Sequence, residues 1–276
     1  MGSGQTARGH PDTRGTGTSC ASVFVVVATL LFGISVAVTI VRCISMSAMG
    51  ALPMPGGWAM SMAWIRMCGQ TWPGVAASFL GMWIAMMVAM MLPSLAPMLW
   101  RYRQLVGGTG GTHLGRLTAL VGVGYFSVWT VFGMAVFPLG VALAAVEMRL
   151  PALARAVPSM VGAVVLSAGA LQFSAWKARQ LACCRVAPGR GCSLPADAGA
   201  AWRYGLQLGL HCSRCCAGMT AILLVIGVMD LRAMAVVTAA ITVERLAPAR
   251  ERVARATGAI AVGAGLFLIA RAAGLG

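Results

Sequence analysis

The chain has 276 residues, 59% hydrophobic and only 10% charged, with a mean hydropathy of +0.84. So little charge excludes a soluble domain of this length and points to a polytopic membrane protein. The net charge of +15 comes almost wholly from arginine, with Lys177 the single lysine; no basic, aromatic-interleaved patch or nucleic-acid motif accompanies it, which excludes nucleic acid as a partner.

Residues 1–20 are polar and rich in Gly, Thr and Ser, the composition of a disordered tail. No small-residue cleavage site of A-x-A type follows the first apolar run, which reads as a retained helix rather than a signal peptide. A bilayer core about 30 Å thick takes roughly 20 apolar residues per helix. On that measure the hydrophobic runs predict seven spans: Ala21–Val41, Val75–Leu99, Leu117–Val146, Val157–Trp176, Tyr204–Met229, Leu231–Leu246 and Ala254–Arg271. The expected fold is all-α, one transmembrane helix bundle over residues 21–276, in contact with lipid. With the N-terminus in the cytoplasm, fourteen Arg and Lys fall on the inner side and six on the outer. That bias fixes the predicted orientation.

The loop after the first span, "RCISMSAMGALPMPGGWAMSMAWIRMCGQTWPG", is crowded with Met and Trp. It reads either as an interfacial, partly re-entrant segment or as a thioether surface where a soft cation enters. Cys43 and Cys68 share this outer side, where a disulfide between them can form.

"MWIAMMVAMMLPSLAPM" follows in the second span. Met82, Met86 and Met90 descend one helical stripe, and Met87 and Met91 the neighbouring one. Such stripes are flexible packing when they stand alone and thioether ligands when a thiol-bearing helix lies beside them. Pro93 and Pro97 interrupt the backbone ladder below.

The fifth span holds "HCSRCCAGM". Cys212, Cys215, Cys216 and Met219 stand at i, i+3, i+4 and i+7, one helical face, with His211 positioned to turn in from the adjoining one. Three thiols and a thioether suit Cu(I) foremost, or zinc where nitrogen or oxygen joins. Gly205 and Gly209 precede them in a small-xxx-small pattern that lets another helix approach closely. Cys183, Cys184 and Cys192, in the preceding loop, are either relay thiols or ordinary reduced cysteines.

Only six acidic residues exist, and Glu244 ends the sixth span. A carboxylate inside a span is costly and needs a partner. Arg245 or Arg250 is one candidate, a metal or a proton the other. Asp230, between the fifth and sixth spans, reads as a cap or turn residue beside Arg232.

The ordered set "MWIAMMVAMMLPSLAPM", "GLQLGLHCSRCCAGM" and "GVMDLRAMAVVTAAITVERLAP" resembles the predicted metal-binding integral membrane proteins, a bacterial family of unknown function. The resemblance covers roughly residues 75–271. It implies a multi-pass protein of the bacterial inner membrane with metal ligands among Met86, Met87, Met90, Met91, Cys212, Cys215, Cys216 and Glu244. The chain departs from the family pattern in having Ala217 in place of Trp, Asp230 for Asn, Arg245 for Lys, and His211 for an aromatic residue.

Three functions are compatible with these residues. The first is a soft-metal protein that transports copper, delivers it or assembles it with a donor or acceptor protein. The second is a thiol-disulfide oxidoreductase using the Cys212-x-x-Cys215 pair. The third is an accessory subunit with no bound ion. No Ser-His-Asp or paired-carboxylate arrangement can be assembled from so few acids and histidines.

Overall fold

The computed structural model describes residues 14–48, 50–61, 64–66, 69–106, 111–183 and 197–274. The chain runs through α1 (Arg14–Ala48), a hairpin of β1 (Ala51–Met54) and β2 (Trp58–Ser61), α2 (Trp72–Leu105) and α3 (Gly111–Arg149). It continues through α4 (Pro151–Leu171), α5 (Ala175–Cys183), α6 (Ala198–Ile226), α7 (Leu231–Leu246) and α8 (Arg250–Ala272). The all-α expectation holds for everything but the hairpin.

Polar side chains start the helices that carry the site. Thr71 accepts from the Gly74 N–H ahead of α2, with Pro73 in the first turn. Asp197 accepts from the Gly199 and Ala200 N–H groups ahead of α6. Asp230 caps α7 through Arg232 and Ala233, the role its position suggested.

Among the described residues six helices are long and apolar enough to cross a membrane: α1, α2, α3, α4, α6 and α8. The expected sixth span, Leu231–Leu246, is present as α7, but it has only 16 residues. At about 1.5 Å per residue it reaches ~24 Å, short of a hydrocarbon core of about 30 Å. Its last turn is also charged, with Glu244 and Arg245 both buried. α1 begins at Arg14, ahead of the first expected span. Residues 1–13 lie outside the described residues.

Helix α3 packs along α6, α4 along α8, and α2 against α1, α3 and α7; α7 also touches α6 and α8. The α3–α6 pair depends on absent side chains. A Cβ at Gly205 would stand 2.3 Å from the Val121 carbonyl oxygen, and one at Gly209 would stand 2.8 Å from that of Tyr125. Backbone-to-backbone approach of this kind is what small-xxx-small patterns permit. It brings Tyr125 beside the first cysteine of α6.

The methionine-rich loop folds partly as the hairpin. Met54 and Met60 are buried against Ala144 and Ala154, and the Trp58 indole donates to the Ala154 carbonyl at 2.8 Å. Those two methionines serve packing at the junction of α3 and α4. Cys43 is buried on α1; Cys68 lies outside the described residues, and so does any bond between them.

Candidate metal centre

The Cys212 sulfur sits at the meeting of four helices. Cys216, one turn along α6, places its sulfur 3.8 Å away. Met91 on α2 places its thioether sulfur 3.9 Å away. The Tyr125 hydroxyl on α3 donates to Cys212 at 2.8 Å, and the Arg245 guanidinium on α7 donates to it at 3.1 Å. All five side chains are buried.

Two further contacts fix this arrangement. Arg245 also donates to the Ser94 hydroxyl at 3.1 Å, and Ser94 donates to the Met91 carbonyl at 3.0 Å. Pro93 and Pro97 lie in this stretch of α2 and remove the ladder donors to the Ala89 and Pro93 carbonyls. The guanidinium therefore bridges α2 and α6. A cation and a phenol O–H aimed at one sulfur suit a sulfur that bears negative charge as a ligand.

The distances fit a shared soft ion. With a metal–thiolate bond of about 2.3 Å, the zinc value, and bond angles near 110–120°, two sulfurs on one ion stand ~3.8–4.0 Å apart. Among the described residues no three His, Cys, Asp or Glu side chains form a group able to hold a metal ion. The donors that do gather are two thiols and a thioether, and a thioether completes a site only for a soft ion.

The other residues singled out from the sequence are placed as follows. Cys215 is buried beside the pair on the same helix. Met219 is buried one turn beyond Cys215. Met86, Met87 and Met90 are buried in the same core, while the described sulfur contact from α2 is that of Met91. The His211 ring pairs with the Gln180 carbonyl of α5 at 3.0 Å.

Glu244 belongs to an adjoining network. Lys177 of α5 pairs with its Oε2 at 2.8 Å, and Gln172 and Thr257 donate to its Oε1 at 2.9 and 2.6 Å. The Lys177 ammonium also donates to the Cys215 carbonyl at 2.8 Å. Among the described residues the ion-pair partner of Glu244 is Lys177, where the sequence suggested Arg245 or Arg250. Arg245, counted from the sequence as an orientation charge, turns inward to the sulfur. Tyr125, Ser94 and Lys177 carried no sequence signal for the site, apart from Lys177 being the one lysine in the chain.

Residues 80–268 match the PpoB2 family, described as a copper chaperone. The chain belongs to the PpoB2 copper-chaperone family. The match spans the helices from α2 to α8 and takes in every residue of the sulfur cluster and of the Lys177–Glu244 network. The metal-binding resemblance seen in the sequence thus resolves to a copper-related family. No curated protein and no solved structure shows a match to the chain.

Proposed function

We propose that the chain is a multi-pass membrane protein that holds Cu(I) as cargo between α2, α6 and α7 and passes it to an acceptor protein. Cys212 and Cys216 are the thiolate ligands and Met91 the thioether, with Cys215 and Met219 next along the same helix. The carrying observation is the Cys212 sulfur, 3.8 Å from Cys216 and 3.9 Å from Met91, buried among hydrogen-bond donors. Two thiols with a thioether select a soft ion by ligand type, and membership of the copper-chaperone family points to copper.

In this reading Glu244 is the counter-ion of Lys177, and His211 secures α5. The six long apolar helices support a multi-pass membrane protein, which this proposal sets in the bacterial inner membrane with its N-terminus in the cytoplasm. The thiol-disulfide alternative has no support from the family match, which points to copper.

Titration of the reduced, detergent-purified chain with Cu(I) against a competing chelator tests the proposal. One tightly held Cu(I) per chain is expected. Met91→Leu should keep that stoichiometry and weaken the affinity by roughly tenfold, the scale for losing one supporting group. Unchanged affinity in Met91→Leu would remove the thioether from the site.

A further inference from the structure

We propose that Arg245 is the fixed counter-charge that makes the Cys212–Cys216 pair prefer a monovalent to a divalent soft cation. The inference rests on the Cu(I) reading of this site and adds a determinant of which ion enters it.

The argument is one of charge in an apolar interior. Two thiolates and one guanidinium carry a net charge of minus one. A monovalent ion brings the cluster to neutrality, and a divalent ion leaves it at plus one. An uncompensated charge surrounded by buried apolar side chains is strongly disfavoured. The neighbouring Lys177–Glu244 pair, closed at 2.8 Å, adds no net charge to this sum. Tyr125 and Ser94 contribute dipoles only.

The guanidinium is also held in place. Its Nη1 lies 3.1 Å from the Cys212 sulfur and 3.1 Å from the Ser94 hydroxyl, and the residue is 2% exposed. Arginine keeps its proton under all ordinary conditions, so the charge is permanent. Softness alone would admit Cd(II), which thiolates also bind well; the fixed cation supplies what softness lacks. Arg245 acts here through Cys212 and is a positioning residue, not a metal ligand.

The full chain in detergent, reduced and loaded with Cu(I), is challenged with Ag(I) or Cd(II), and metal content is read by mass spectrometry. In the wild type, one equivalent of Ag(I) should displace Cu(I), and one of Cd(II) should not. Arg245→Met should bind Cu(I) about 10- to 100-fold more weakly, the range for lost outer-shell partners, while its Cd(II) affinity holds or rises. Arg245→Lys should keep the preference for the monovalent ion. Ready displacement of Cu(I) by Cd(II) in the wild type would overturn the inference, and so would equal losses for both ions in Arg245→Met. Either result leaves the copper site itself standing. A wild type that binds no Cu(I) would sink both readings together.

Discussion

A Cys212→Ser/Cys216→Ser variant is expected to lose stoichiometric Cu(I) altogether while keeping its helical content. The two thiols supply the anionic ligands, and a serine hydroxyl is a poor donor to a soft ion. The fold should survive because the new hydroxyl at position 212 inherits the Tyr125 and Arg245 donors that now face the sulfur at 2.8 and 3.1 Å. The serine at 216 can bond back along its own helix. Metal content by mass spectrometry together with circular dichroism measures both halves. Full copper occupancy in a folded double variant would show that the ion binds elsewhere.

Lys177→Met is expected to be the most destabilising single change in this region. It removes the ion-pair partner of Glu244 and the donor to the Cys215 carbonyl, both at 2.8 Å. Gln172 and Thr257 still donate to one carboxylate oxygen, but the charge stays buried. Breaking a buried pair from one side costs about 3–5 kcal/mol, whereas replacing both partners by apolar or neutral groups is often close to neutral. Thermal unfolding in detergent should therefore show a large loss for Lys177→Met and substantial recovery in Lys177→Met/Glu244→Gln. A single variant as stable as the wild type would mean that the pair holds nothing together. Because the network joins α5, α6, α7 and α8, its loss should also loosen the helix that carries the thiols.

Much of this architecture is legible in the sequence, because long apolar runs are a strong and local signal. α7 is the exception, since its run of apolar residues is continuous with a charged end that packs inside the bundle. The hairpin at residues 51–61 was hidden by its Pro and Gly content. α5 was hidden by its length, nine residues of mixed polarity that read as loop. Missing α5 meant missing Lys177, which from sequence alone looked like one more cytoplasmic charge.

At the site, helical spacing put Cys212 and Cys216 on one face, and the glycines before them marked the side on which another helix packs. Periodicity could define the methionine stripes of α2, but it could not say which methionine meets the thiols. That depends on the axial register of α2 against α6, set by long-range packing. The same limit applies to Tyr125, 87 residues from Cys212, and to Arg245, 33 residues away. His211 shows a contact that helical geometry could not foretell: α5, invisible in the sequence, brings the Gln180 carbonyl within 3.0 Å of its ring.

The central claim is that copper sits on the Cys212 and Cys216 thiolates with Met91 beside them. X-ray absorption at the copper edge, on the Cu(I)-loaded wild-type chain, tests it most directly. The account predicts an all-sulfur first shell dominated by two thiolates, with the thioether as a weaker contribution lost in Met91→Leu. A first shell built on nitrogen or oxygen would contradict it, because those donors would have to come from outside the cluster.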